Sequence, residues 1–409
     1  MRRVSLFVAI AILIVAGRLA AFDAVGTINK VDAEKRLLYI RANGQDRSVE
    51  IDKEAKVLDA DGKLLADGLK SKELKEGAEV TVTVDRSDNG PVIKAIRLGR
   101  GGAPALKEVK SKEGRASVGL KPLTEMSAVD RYKGEDGGLY GGGKNEPPEK
   151  HLKAARDATA KIQPLDADGK PNKDGTIALV SISMSNATQE FSLFKQLADR
   201  DEKKSSRVTV VDCAQGGQAM AQWVDPKGRA WTEADRRLDA ANISPKQVQV
   251  VWVKLANVGP RGDLTEHGKK LYQDTVAVLA NARERFPNLR IAYLGSRIYG
   301  GWATTQLNPE PYAYESAFVV RWLIRDQMKG DTALNFDADK GAVKAPVLLW
   351  GPYLWADGTT PRKADGLVYE RADLAADGTH PSQSGRRKVA DMLLKFFQTD
   401  PLASKWYVK

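Results

Sequence analysis

Residues 377–380 read Asp-Gly-Thr-His, at the head of the stretch DGTHPSQSGRRKVADML, and His380 is one of only three histidines in 409 residues. A carboxylate three positions ahead of an imidazole, in a Gly/Thr/Pro turn, can orient the ring and stabilise its charged form. Those are the requirements of a general base for acyl chemistry. Such a base needs a nucleophile, and Ser185 is the candidate. It follows the apolar run 177–184 and precedes a helical pattern. A serine at a strand-to-helix turn shows its hydroxyl at the sheet edge, where the following N–H groups can hold an oxyanion. The same position also suits a helix cap. Gly216-Gly217 follow the next apolar run, where a glycine lets backbone approach a ligand and expose an N–H, or simply turns the chain. Asn257 follows the third run, with Lys254 at the same edge. Its amide could donate to an oxyanion, or it could be a turn residue before Gly259-Pro260.

The elements that must position these residues show in the hydropathy pattern. Runs at 177–184, 208–212, 248–255, 290–294 and 346–350 are nearly continuous in apolar residues, as in strands buried on both faces. Helical spacing fills 189–200, 269–286, 312–328 and 385–397. The alternation predicts an α/β domain over 151–409, a parallel sheet between helices with its site at the carboxyl ends of the strands. Residues 23–100 differ. Short alternating segments at 24–31, 36–41, 47–51, 79–84 and 92–98, broken by turns such as Asn43-Gly44 and Asp88-Asn89-Gly90, predict a small all-β barrel or sandwich. Residues 101–150 lack periodicity and read as a linker. Arg2-Arg3, an apolar run to Gly17 and the small residues Ala20-Ala21 have the layout of a secretory signal over 1–21. The run is shorter than the ~20 apolar residues of a membrane span, so an exported protein without a stable span is expected, an uncleaved anchor being the alternative.

Taken together, Ser185, Gly217, Asn257 and the Asp377/His380 pair resemble the four ordered blocks of the SGNH (GDSL-type) hydrolase superfamily, over roughly residues 170–400. The resemblance implies a flavodoxin-like three-layer α/β/α sandwich. It implies Ser185 as nucleophile, His380 as base and Asp377 as its orienting acid. The oxyanion hole would be the N–H groups of Ser185 and Gly217 with the amide of Asn257. An acyl-enzyme route to ester hydrolysis follows, with neither metal nor cofactor. The chain departs from the family in its first block, Ser-Met-Ser for Gly-Asp-Ser, and in lacking Gly-Asn-Asp at Asn257, which fits with a shift of about one residue. Asn186, beside the serine, is a second amide that can be mistaken for the donor. The N-terminal segments, opening VGTINKVD, resemble the OB-like small barrels of exported bacterial proteins.

The formal net charge of +11 is spread along the chain rather than gathered in a block, which reads as solvated faces. No nucleic-acid partner is expected, and Tyr39 is almost the only aromatic that could stack a base in the barrel. Lone Cys213 can form no internal disulfide. Aromatics on expected loops, Trp302, Tyr312, Tyr314, Tyr353 and Trp355, could stack on sugar faces or equally belong to the core. An exported esterase with such loops suggests an acylated polysaccharide as substrate and deacetylation as the reaction. A non-catalytic glycan- or surface-binding protein on the same scaffold is the competing reading. Asp59–Gly62 and Asp166–Gly169 lack a full calcium-ligand series and read as tight turns.

Overall fold

Alternation of apolar side chains along five strands closes the N-terminal unit into a barrel. A computed structural model describes residues 22–42, 45–60, 63–87, 90–99 and 114–409. The chain divides between Leu106 and Lys107 into two units. In the first, β1 (Phe22–Asp32), β2 (Leu37–Ala42), β3 (Gln45–Leu58), β4 (Glu79–Ser87) and β5 (Gly90–Leu98) pair in the closed order β1-β2-β3-β5-β4. Every pairing is antiparallel except β3 with β5, which run parallel. Residues two apart, such as Leu38 and Ile40, or Val80, Val82 and Val84, fill the interior, as the period of a strand requires. Register shifts in β1, β3 and β4 supply the bends that closure needs. The segment 1–21, read as a signal, lies outside the described residues.

The second unit is built on a parallel sheet of β6 (Ile177–Ser183), β7 (Val208–Val211), β8 (Val248–Lys254), β9 (Ile291–Leu294) and β10 (Val347–Trp350) in the order β10-β9-β8-β6-β7. Numbered within the unit this is 2-1-3-4-5, with the direction of winding reversing between β6 and β8. A crevice for ligands forms at such a reversal, outside the carboxyl ends of the strands. All residues of β6 and β8 are buried, because helices cover both faces. On one face, Trp252 of β8 stacks on Phe191 of α2 (Ser185–Asp199) at 5.3 Å. Phe194 of α2 stacks at the same distance on Phe397 of α7 (Gln383–Thr399). Val253 points the other way, among Leu271 of α5 (Leu264–Arg285) and Val319 and Leu323 of α6 (Tyr312–Lys329).

α2 and α5 start about a turn before their apolar periodicity does, whereas α6 begins where its spacing predicts and α7 two residues earlier. The reason is visible at α5, where the Asp263 carboxylate takes the N–H groups of Thr265 and Glu266, so its polar first turn is set by a cap. Helices α1 (Glu149–Thr159), α3 (Met220–Val224), α4 (Arg229–Ala240) and α8 (Ser404–Tyr407) have no counterpart in the sequence reading. α1 packs through small residues, Ala155 and Ala158, that make little pattern. Asp166 Oδ1 accepts the N–H groups of Asp168 and Lys170, which makes 166–169 a tight turn.

The expected linker needs correction. Residues 100–113 are outside the described part, but 114–148 pack as an irregular arm on the α/β unit. Leu123 is fully buried, and its N–H donates to the Tyr353 hydroxyl at 3.1 Å. Trp350 donates its indole N–H to Leu139 O at 2.8 Å, and the buried Arg321 guanidinium donates to Asp136 O at 2.7 Å. Side chains from α6, from the end of β10 and from the loop after it thus satisfy a backbone with no ladder of its own, and that arrangement leaves no periodic signature. Leu123→Ala should destabilise the α/β unit by about 2–5 kcal/mol, where a linker residue would change nothing. Urea unfolding followed by tryptophan fluorescence measures this unit alone, since all eight tryptophans lie beyond residue 222.

Candidate active site

β6 ends at Ser183, Met184 is extended (φ −116, ψ −169), and Ser185 is the first residue of α2. The buried strand feeds directly into the helix, so the serine hydroxyl stands at the sheet edge, half-buried. Opposite it, the turn 377–380 is closed by the Ala375 N–H on His380 O at 2.8 Å and by a bridge from Leu374 to Pro381. Gly378 is required there twice over. Its φ of +61 is left-handed, and a Cβ would lie 1.7 Å from Trp302 O. Thr304 donates through both its N–H and its hydroxyl to Asp377 O, at 3.0 and 3.1 Å. The 302–304 loop and the Asp-Gly-Thr-His turn therefore form one unit.

The three chemical groups meet in hydrogen-bonding order. Ser185 Oγ lies 2.8 Å from His380 Nε2, and His380 Nδ1 lies 2.5 Å from Asp377 Oδ2. With Nδ1–H donating to the carboxylate, Nε2 is left to accept the serine proton. The other carboxylate oxygen, Oδ1, accepts the N–H groups of Thr379 and His380, each at 3.0 Å. Partial burial pushes the Asp377 carboxyl up, but the imidazole and these two N–H groups outweigh it and hold its pKa at about 2.

Gly217 and Asn257 stand beside the serine because β7 and β8 flank β6. The ladder continues past the strands, with Met184 bridging Gln215 and the Gln215 N–H on Ser183 O at 3.1 Å. Gly217 is exposed with φ +72, so only glycine sits there without strain. Across the other pairing, Ser183 is opposite Lys254, three residues before Asn257. The Asn257 N–H donates to the Tyr312 hydroxyl at 2.9 Å, and that hydroxyl donates back to Asn257 O at 3.1 Å. The clamp fixes the Asn257 backbone while its side-chain Nδ2 is buried without a partner. Asn186 also has an unpartnered Nδ2, but its Oδ1 is held by the Ala187 N–H and by Arg297, both at 3.1 Å.

The expected aromatic platform is largely absent. Tyr312, Tyr353 and Trp355 are at most 5% exposed and serve as internal hydrogen-bonding partners. Tyr312 clamps Asn257, Tyr353 accepts from Leu123, and Trp355 donates to Glu310 Oε1 at 2.7 Å. Tyr314 is buried as well, donating to Lys121 O at 2.9 Å. Large aromatics with a polar handle were drawn inward because the arm and loops offered partners there. Trp302 alone is half-buried, beside Gly378. Cys213 is buried, and burial pushes its thiol well up.

Beneath the seryl turn lies a charged cluster that the sequence reading missed. Lys254 Nζ pairs with Glu190 of α2, both side chains having no exposure. Arg297, 2% exposed, donates to Asn308 Oδ1 at 2.9 Å and to Asn186. Burial, opposed by Glu190, pulls the Lys254 pKa down to about 8. The signal was available, since a lysine ending a seven-residue buried strand demands a buried anion. Glu190 shares a helix face with Ala187, Phe191 and Phe194. Among the described residues no cluster of His, Cys, Asp and Glu is arranged to hold a metal.

No family model and no curated protein matches the chain. Among solved structures, a candidate acylhydrolase from Bacteroides fragilis matches at 11% identity, over 64% of this chain and 100% of its own, with a TM-score of 0.34. The periplasmic domain of a Salmonella ser. Paratyphi A lipopolysaccharide acetyltransferase matches at 13% identity, over 61% and 93%, with a TM-score of 0.29. Apo-CusF from Escherichia coli matches at 14% identity over 22% of this chain and all of its own, with a TM-score of 0.17. These likenesses are too loose to decide an activity. Among the described residues, no helix is long and apolar enough to cross a membrane.

Two stability measurements follow. Asp377 is depressed below its ordinary 3.8, so what it adds to stability is present above about pH 4 and lost as pH falls toward 2. The unfolding free-energy gap between parent and Asp377→Asn should therefore narrow between those values. Lys254→Met strands a buried carboxylate and should destabilise by about 3–5 kcal/mol. Adding Glu190→Leu should recover most of that loss in the same urea titration.

Proposed function

We propose that the chain is a serine ester hydrolase of SGNH type working through an acyl-enzyme. The observation that supports it most is the relay Ser185 Oγ to His380 Nε2 at 2.8 Å and His380 Nδ1 to Asp377 Oδ2 at 2.5 Å. A capping serine needs no imidazole on its hydroxyl, and a structural Asp–His pair needs no serine.

In the first half-reaction, Ser185 Oγ attacks the ester carbonyl carbon as its proton passes to His380 Nε2. The carbonyl electron pair moves onto oxygen, and the C–O bond to the alcohol breaks when the intermediate collapses. The alcohol leaves with the proton returned from Nε2. In the second, water attacks the acyl-serine with His380 again as base, and the acid is released as Ser185 regains its proton. Asp377, its carboxyl held at about 2, stays ionised throughout and stabilises the imidazolium. The N–H groups of Ser185 and Gly217, with Asn257 Nδ2, are the donors for the oxyanion. Asn257 is favoured over Asn186 because its backbone is clamped and its amide is not tethered to Arg297.

In this reading the alcohol part is not chosen by a stacked aromatic wall. With Tyr312, Tyr353 and Trp355 buried, Trp302 is the one member of that set left to meet an acylated polysaccharide. The competing non-catalytic reading rests on the altered first block, Ser-Met-Ser, and differs from this one in expecting an inert Ser185.

Ser185→Ala and His380→Ala should each lower turnover of p-nitrophenyl acetate by about 10³-fold or more while near-ultraviolet circular dichroism is unchanged. A fluorophosphonate probe should label Ser185 in the parent and nothing in the His380 variant. Parent-like activity in Ser185→Ala would end this assignment. Asn257→Ala should cost about 10²–10³ in kcat and Asn186→Ala far less; the reverse ranking would move the oxyanion donor to Asn186.

A further inference from the structure

A large cleft lies away from Ser185, at the amino-terminal edge of the sheet, with a volume of about 1720 Å³. Arg290 and Val347, at the starts of β9 and β10, form its floor. Helix α1, the second half of α5 and the segment 330–345 form its walls. Nine lysines and arginines line it against four aspartates. Of the aspartates, Asp157 is paired with Lys153, Asp337 with Lys340, and Asp331 takes the Ala333 N–H.

The floor holds an electrostatic oddity. Arg283 and Arg290 are both half-buried and feel each other's charge. Arg283 donates to Phe286 O and Pro287 O, closing the end of α5. Arg290 has no side-chain hydrogen bond or ion pair among the described residues, and its Nε is buried without a partner. Burial lowers both guanidinium pKa values, and no carboxylate acts to raise either. Two neighbouring cations in partly dry surroundings without a counter-charge are unfavourable. The guanidinium fork fits the oxygens of a phosphate two at a time. Beside them, Val276, Ala277 and Ala280 of α5, with Met328 and Phe336, give the cleft an apolar wall.

We infer that this cleft is a binding site for a phosphate-bearing ligand with an apolar body, Arg290 and Arg283 taking the phosphate and the α5 wall the apolar part. Two positive groups match the dianionic charge of a phosphate monoester better than a single carboxylate. The site is independent of the Ser185 chemistry, which lies at the other edge of the sheet. The phosphate could belong to a soluble ester or to a lipid headgroup.

The test uses the full chain with inorganic phosphate by calorimetry, and with phosphatidic acid vesicles by sedimentation against phosphatidylcholine controls. Arg290→Met should weaken binding tenfold or more without changing esterase turnover, and binding should fall as salt rises. Binding of inorganic phosphate that depends on Arg290 supports a soluble ligand. Binding confined to phosphatidic acid vesicles, with the same dependence, supports a headgroup. No binding in either arm, or equal binding by parent and variant, overturns the inference. Melting temperature checks that the variant is folded, and Arg290→Gln replaces it if it is not.

Discussion

Parallel pairing of β6 with both β7 and β8 is the constraint on which everything at the site depends. It places three turns, each remote from the others in sequence, side by side at one edge. It also sets their heights, through Ser183 opposite Lys254 and Met184 opposite Gln215. Because these strands are buried on both faces, a slip in register would mismatch their side chains with the helices packed on each side. The hydrophobic effect thus fixes where Ser185, Gly217 and Asn257 stand, although none of the three is itself part of the apolar core.

The cluster under the seryl turn adds an electrostatic layer to that geometry. Lys254 and Arg297 are two buried cations near one buried carboxylate, Glu190. With Lys254 protonated, the cluster carries an excess positive charge. It lies beneath the first turn of α2, whose free N–H groups and dipole are also positive toward the crevice. An anionic intermediate would find both contributions already oriented, with little water to weaken them. The tether from Arg297 to Asn186 serves a second end, since it fixes which way that amide faces.

The sequence made the sheet, the barrel and the acid–base turn legible because each has a local signature. Continuous apolar runs marked β6 to β10, period-two alternation marked the barrel, and Asp377 with His380 needed only four residues. What stayed hidden was long-range. The arm 114–148 looked like a linker because its hydrogen bonds come from Tyr353, Trp350 and Arg321, far along the chain. Tyr312 and Trp355 looked like loop aromatics because their partners, the Asn257 backbone and Glu310, appear only on folding. The polar cluster was half readable: Lys254 showed the need for a partner, but nothing local identified Glu190 or Arg297. For the same reason the flavodoxin-like sandwich was an inference by resemblance, whereas the 2-1-3-4-5 strand order can be seen only in three dimensions.

The two halves of the relay differ in how far apart they begin. Asp377 and His380 are one turn, braced by the 302–304 loop, whereas Ser185 lies 195 residues away from His380. The acid–base half has very low contact order and the nucleophile very high, so loop-closure entropy sets them at opposite ends of assembly. A chain with the turn but not the sheet has an oriented imidazole and no serine against it. Under the proposed hydrolase reading, reactivity would thereby be tied to completion of the fold, and a nascent or partly unfolded chain would be chemically silent.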